Sequence, residues 1–248
     1  MFDKYLEQPQ NHLVASAMER GQIPIGYTCS MVPEVLLSIP PLFPVRMRAP
    51  AAGETEIADI YLSKFACSYV RSLLEFAMDG RYDFLGGWVH AVSCDHLRRL
   101  HDNMEYLIKP AFSFILDIPH RASGAAIAWY VDNLSALVNR LEEHFEINIT
   151  DEKLAAAIKT NNEFLRQLSS IGEMRRLDAP LFTGTEFHQL MTAARTTPRE
   201  LIEKPITNFR NTLSERDGID SYRARLMVVG GNLDDFHYIE TIESTGAL

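Results

Sequence analysis

Three cysteines, Cys29, Cys67 and Cys94, are the residues of this sequence best suited to chemistry. They are odd in number, too few for a disulfide scaffold, and spaced far too widely for a local zinc motif such as C-x-x-C. Counting alone leaves two readings open. The thiols are either three buried apolar side chains or metal ligands brought together by the fold. Their positions bear on the choice. Cys29 follows the apolar run Ile23-Pro24-Ile25-Gly26-Tyr27, and Cys94 follows the run from Phe84 to Val92; both runs read as buried strands. Cys67 stands directly before a helical stretch that starts at Ser68. In an open parallel sheet the C-terminal strand ends share one edge, and ligands bind there. Helix N-termini favour thiolate over thiol, and iron–sulfur clusters are held by such thiolates, whose cysteines need not be neighbours in sequence.

The elements that must position these residues alternate between strand and helix. Residues 1–20 read as a helix leading into Gly21, and Pro33 to Leu37 as a helix start with proline in its first turn. Pro44 to Met47 reads as a strand, residues 68–79 as a helix stopped by Gly80, and Ala111 to Ile118 as a further strand. Ser93 is placed to cap a helix over 94–107. A long amphipathic helix is expected over 123–145. Thr150 is expected to cap the next one, from Asp151 to about Ile171. Gly86-Gly87 inside a strand signals a close backbone approach or a bulge. Near Pro180 a second unit is expected. It is mostly helical over 181–220, then has a buried strand Arg225 to Gly231, and then a helix over 236–245 capped from Asn232 to Asp235. Gly246 to Leu248 reads as the entry to one more strand. The fold class expected is therefore α/β, with two doubly wound parallel-sheet (Rossmann-like) domains joined by long helices, the second truncated. The boundaries are 1–150 for the domain carrying two cluster cysteines, 151–179 for a helical connection and 180–248 for the incomplete second domain. A lone strand and helix cannot bury a sheet face, so a continuation or a partner chain is expected to complete it.

Composition bounds the rest. The 248 residues are 46% hydrophobic and 23% charged, with a formal net charge of −9. These are globular values, and an acidic chain without a basic stripe argues against nucleic-acid binding. No apolar stretch reaches membrane-spanning length, and Met1 to Gln10 carries Asp3, Lys4 and Glu7 rather than a signal-type apolar core, so a cytoplasmic location is expected. Gly230-Gly231 lacks the lysine and the spacing of a phosphate loop. His90, His96 and His101 read as surface or cap residues, and Arg98 and Arg99 as a solvated face that could also meet phosphates.

A resemblance now becomes visible. Gly26-Tyr27-Thr28-Cys29-Ser30-Met31-Val32-Pro33-Glu34 followed by Pro44-Val45-Arg46 resembles the N-terminal signature of the 2-hydroxyacyl-CoA dehydratase / benzoyl-CoA reductase family. Cys67-Ser68-Tyr69-Val70-Arg71-Ser72 is similar to its second cysteine segment, and Cys94 to Asn103 to its third recurring segment. Leu116-Asp117-Ile118-Pro119, Leu181 to Glu186 and Arg225 to Asp235 continue the likeness to the end of the chain. The resemblance implies paired subunits, each holding a 4Fe-4S cluster through three cysteines, and an ATP-dependent activator protein that supplies one low-potential electron. Dehydratase members expel the hydroxyl of an (R)-2-hydroxyacyl-CoA as water after one-electron reduction, and reductase members reduce an aromatic acyl-CoA. Plain acid–base catalysis does not suffice for the former, because the β-proton lost is not acidic. Carried over by residue, Cys29 and Cys67 match the first two metal ligands. The third is expected beyond Leu248, with Cys94 a less favoured substitute. Ser30 is a candidate for a catalytic or ligand-binding hydroxyl, or else a helix cap. Ser38-Ile39-Pro40-Pro41 departs from the small-residue turn usual there and is expected to reshape the substrate channel. The function expected is thus the iron–sulfur subunit of a dehydratase, alternatively of a benzoyl-CoA reductase-type enzyme or a non-catalytic cluster-binding partner.

Overall fold

Four parallel strands form the centre of the computed structural model, which describes residues 1–248. They are β1 (Ile23–Tyr27), β2 (Leu42–Arg46), β3 (Gly87–Ala91) and β4 (Ser113–Leu116), in the order β2-β1-β3-β4. All five residues of β3 are buried, as expected of a parallel strand covered on both faces. One cover is α3 (Ser68–Met78) with α4 (Asp95–Leu107), whose Leu73, Leu74, Leu97 and Leu100 pack with Met47 and Trp88. The other is α5 (Gly124–Phe145), whose Leu137 and Leu141 meet Ile25, Val89 and Leu116. Two shorter helices, α1 (His12–Glu19) and α2 (Ala58–Tyr61), lie at the margins. The chain passes from β1 outward to β2 and then to β3 on the other side of β1, so the strand order switches direction between β1 and β3. Their C-terminal ends open the crevice where α/β sheets take ligands.

The helical remainder has a core of its own. It comprises α6 (Asp151–Glu173), α7 (Gly184–Thr196) and α8 (Arg199–Leu213), together with α9 (His237–Ser244). Phe164, Leu168, Phe182, Ile202 and Phe209 pack there against Phe2 and Leu6 from the start of the chain. The expected cap forms, with Thr150 accepting from the Lys153 amide, and Thr183 with Glu186 adds a reciprocal capping box.

Several expectations need correction. Residues 1–20 form a 3-10 turn at Asp3–Tyr5 and a separate α1, because the Asn11 side chain accepts from the Leu13 and Val14 amides and starts the helix there. Pro33 to Leu37 yields only a 3-10 turn at Leu36–Ser38. The strand expected from Arg225 to Gly231 does not form. Residues 180–248 contain helices and one isolated parallel bridge, Ala224 to Ala247, rather than a second sheet. The backbone here pairs only with Gly246 to Leu248, through Arg223 N–H to Gly246 O (2.7 Å) and Leu226 N–H to Leu248 O (2.9 Å), and a ladder cannot extend without a longer neighbour. Leu226, Val228 and Val229 consequently remain exposed.

His90 also departs from expectation. It is fully buried at the centre of β3, stacked on Trp88 and edge-on to His101, and neither ring nitrogen has a partner. Burial, reinforced by His101, depresses its pKa to about 3. The folded value lies below the unfolded one, so the unfolded chain binds more protons between these two values, and stability falls as pH drops from about 6.5 toward 3. By pH 5 this one residue is expected to remove about 2 kcal/mol. Urea titrations at pH 7.5 and 5.0 check it: the His90→Leu variant should lose less stability on acidification by that amount, and an identical pH response would contradict it.

Candidate functional site

Each of the three thiols sits where an element ends or begins at the β1/β3 switch point. Cys29 lies two residues past β1, partly buried. Its loop is fixed by Tyr69 in the first turn of α3, whose hydroxyl donates to Thr28 O and Met47 O, both at 2.9 Å. Burial pushes the Tyr69 phenol well above its ordinary pKa against the opposing charge of Arg46, so it remains a donor. One side chain thus ties the exits of β1 and β2 to α3.

Cys67 is the N-cap residue of α3 and Cys94 that of α4; both are exposed, and neither side chain bonds to its own helix. The Cys67 amide donates to His96 Nδ1 at 3.2 Å, which joins the start of α3 to the first turn of α4 and assigns the imidazole proton to Nε2. Ser93, expected to cap α4, instead places its hydroxyl 3.5 Å from the Cys29 sulfur. The cap position has moved on by one residue to Cys94. The Ser93–Cys29 contact was not foreseen, and nothing in local spacing could have shown it, since the two residues lie on different strand exits.

Cys29, Cys67 and Cys94 line a single cavity of about 540 Å³. Ser30, Ser93 and Arg46 share it, and α7 closes it with His188 and Arg195. Ser30 is exposed, and the short turn at Leu36–Ser38 has Val35 in its cap position with no side-chain cap, so the capping role is not filled by Ser30. Gly230 to Leu233 completes the wall and is held by two arginines from the β2 exit. Arg46 donates to the Asn232 side chain. Arg48, only 3% exposed, donates to the Asp234 carboxylate (2.9 Å), to Asp234 O (3.1 Å) and to Leu6 O (3.2 Å). Asn232 and Asp234 therefore anchor the loop instead of capping α9. Only Asp235 serves that helix, accepting from the His237 amide at 3.0 Å.

Other sequence candidates lie elsewhere. Arg98 and Arg99 do not line the cavity, and Arg99 faces Asp102 across 3.7 Å on the surface. Ser38 and Pro40 of the double-proline loop line a separate groove of about 670 Å³ beside α6 and α8.

No three His, Cys, Asp or Glu side chains converge on one point as a single metal ion requires. Thiols spread around one chamber suit a cluster several ångströms across, where each thiolate meets a different iron. The thiols on this wall are the donor type that clusters use, and no group of side chains is arranged for a single metal ion.

The chain is an α/β protein whose four-stranded parallel sheet has three thiols lining the cavity at its switch point. The profile of the family described as 2-hydroxyglutaryl-CoA dehydratase, D-component, matches residues 29–248, and the chain belongs to that family. It is 25% identical over 194 residues to the (R)-phenyllactyl-CoA dehydratase beta subunit of Clostridium sporogenes, covering 78% of this chain and 52% of the relative. It is 28% identical over 166 residues to the beta subunit of the (R)-2-hydroxyglutaryl-CoA dehydratase of Acidaminococcus fermentans, covering 65% and 43%. With a subunit of the benzoyl-CoA reductase of Thauera aromatica it shares 21% identity over 226 residues, covering 90% and 58%. The chain spans about half the length of the curated relatives it matches. No helix is long and apolar enough to cross a membrane.

Proposed function

We propose that this chain is the iron–sulfur subunit of a radical (R)-2-hydroxyacyl-CoA dehydratase, in which Cys29 and Cys67 hold a 4Fe-4S cluster. The observation that carries the reading is the convergence of thiols from three separate elements on one chamber at the switch point. Such a cluster supplies one-electron reduction and an open iron that polarises oxygen. The chain's own residues do the positioning. Tyr69 fixes the Cys29 loop, and the Cys67 amide bonded to His96 sets the approach of α3 to α4. Ser30 offers a hydroxyl to a ligand from the exposed rim beside Cys29, and Ser93 contacts the Cys29 sulfur. Cys94 lines the same chamber, and the third ligand is assigned to a segment beyond Leu248. The partners that follow from this reading are a second dehydratase-type subunit, an acyl-CoA substrate and an ATP-dependent activator protein as electron donor.

A second reading, a subunit of an enzyme that reduces an aromatic acyl-CoA, is kept because the reductase relative aligns with more of this chain than either dehydratase relative does. Anaerobic assembly of the chain with iron, sulfide, a dehydratase-type partner subunit and an activator tests both. The expected product from an (R)-2-hydroxyacyl-CoA is the 2-enoyl-CoA. Ring reduction of an aromatic acyl-CoA without any dehydration would favour the second reading, and failure to take up iron would remove both.

A further inference from the structure

The thiol chamber carries positive charge that the acidic chain leaves unpaired. The chain has a net charge of −9, yet the cations on this wall, Arg46 and Arg195, form no ion pair with any carboxylate. Arg46 uses one amino group on the neutral amide of Asn232, and its Nε is buried without a partner. Asp234 acts on Arg46 only through space, and its direct ion pair is with Arg48. Glu34 lines the neighbouring groove, whose wall Arg195 also shares, without forming an ion pair with Arg195. His188 adds a directional group. Its Nε2 lies 2.7 Å from Leu233 O and must carry the proton, so the buried Nδ1 is left as an unpartnered acceptor. A buried guanidinium nitrogen without an acceptor is costly unless a ligand satisfies it, and guanidinium groups match the paired oxygens of carboxylate and phosphate.

We propose that Arg46 and Arg195 make this chamber an oxyanion subsite, which takes a carboxylate or phosphate group of the ligand beside the thiols, while His188 Nδ1 accepts from a hydroxyl or amide of the same molecule. The proposal deepens the reading above by naming the ligand chemistry of its site, and its test needs no cluster. Two alkylating agents of similar size report the charge at Cys29 in the reduced, metal-free full chain: anionic iodoacetate and neutral iodoacetamide, followed by mass spectrometry. At low salt the iodoacetate-to-iodoacetamide rate ratio at Cys29 is expected to exceed that of glutathione on the order of tenfold, and to fall as salt is added. Arg46→Gln and Arg195→Gln should each lower the ratio, and Arg195→Lys should largely restore it, which separates charge from misfolding. A ratio equal to that of glutathione, or one unchanged in both glutamine variants, overturns the proposal.

Protection of Cys29 against iodoacetamide then separates the sources of the anion. Protection by glutaryl-pantetheine but not by acetyl-CoA assigns an acyl carboxylate, and the reverse assigns a coenzyme phosphate. Protection by neither at millimolar concentration overturns the subsite. Loss of iron binding with intact charge selectivity would remove the cluster reading alone.

Discussion

Cys29→Ala and Cys67→Ala are each expected to lower cluster affinity by at least the roughly 10- to 100-fold typical of losing a residue that merely supports a metal ligand. Removing a ligand outright leaves an iron to a weaker donor, and metal binding depends on deprotonated thiolates. Anaerobic reconstitution with iron and sulfide, followed by iron counting and visible absorbance, measures it. The two variants differ in what they disturb besides the ligand. The Cys29 sulfur also touches the Ser93 hydroxyl, whereas the Cys67 side chain bonds to nothing within the chain and only its backbone amide is held by His96. Cys67→Ala should therefore lose iron with the fold untouched, as read by circular dichroism. Cys94→Ala decides the third ligand. With that ligand beyond Leu248, the variant keeps most of its iron. A loss equal to that in Cys67→Ala would place the third ligand at Cys94 and overturn the assignment. Retention of full iron content in Cys29→Ala and Cys67→Ala would remove the cluster reading entirely.

Gly87→Ala is expected to destabilise the protein by about 2–6 kcal/mol, combining about 1–3 for backbone strain with about 1–3 for overpacking. Gly87 opens β3 with φ +152°, and a Cβ there would lie 2.4 Å from the Phe112 carbonyl oxygen and 2.6 Å from the Phe112 Cβ. That oxygen accepts the Trp88 amide at 3.2 Å, so relief of the clash breaks the β3–β4 ladder at its first bond. Such a loss is a large share of the roughly 5–15 kcal/mol that holds a domain folded. Gly21→Ala is the control. Gly21 also has positive φ, at +80°, but a Cβ there would meet nothing within 4 Å. It should cost only about 1–2 kcal/mol. Urea titration of both variants measures the difference, and equal losses would show that the contact with Phe112 yields easily. Because β3 leads directly to Ser93 and Cys94, Gly87→Ala should also loosen the thiol chamber.

The sequence by itself determined the four strands and the longer helices of the first half, and the residue types of the site. Apolar runs bounded by turns marked β1 and β3, Gly86-Gly87 marked the close approach, and Thr150 marked a helix start that the structure forms. These signals are short-range: strand burial, glycine space and capping bonds all lie within a few residues of the sequence that encodes them. The recurring cysteine segments likewise pointed to the family that the profile match shows.

Tertiary structure alone decided which groups face one another. Local spacing cannot show that Ser93 turns to Cys29, that Tyr69 ties two strand exits to α3, or that Asn232 and Asp234 go to Arg46 and Arg48. Each of these is a contact between residues far apart in sequence, and its energy exists only once the sheet has brought the strand exits together. The same reason explains the errors. Arg225 to Gly231 has the composition of a buried strand, but a strand is a property of its neighbours as much as of itself, and only Gly246 to Leu248 lies alongside it. His90 looked like a surface histidine until β3 placed it between α4 and the sheet, where burial rather than residue type sets its charge.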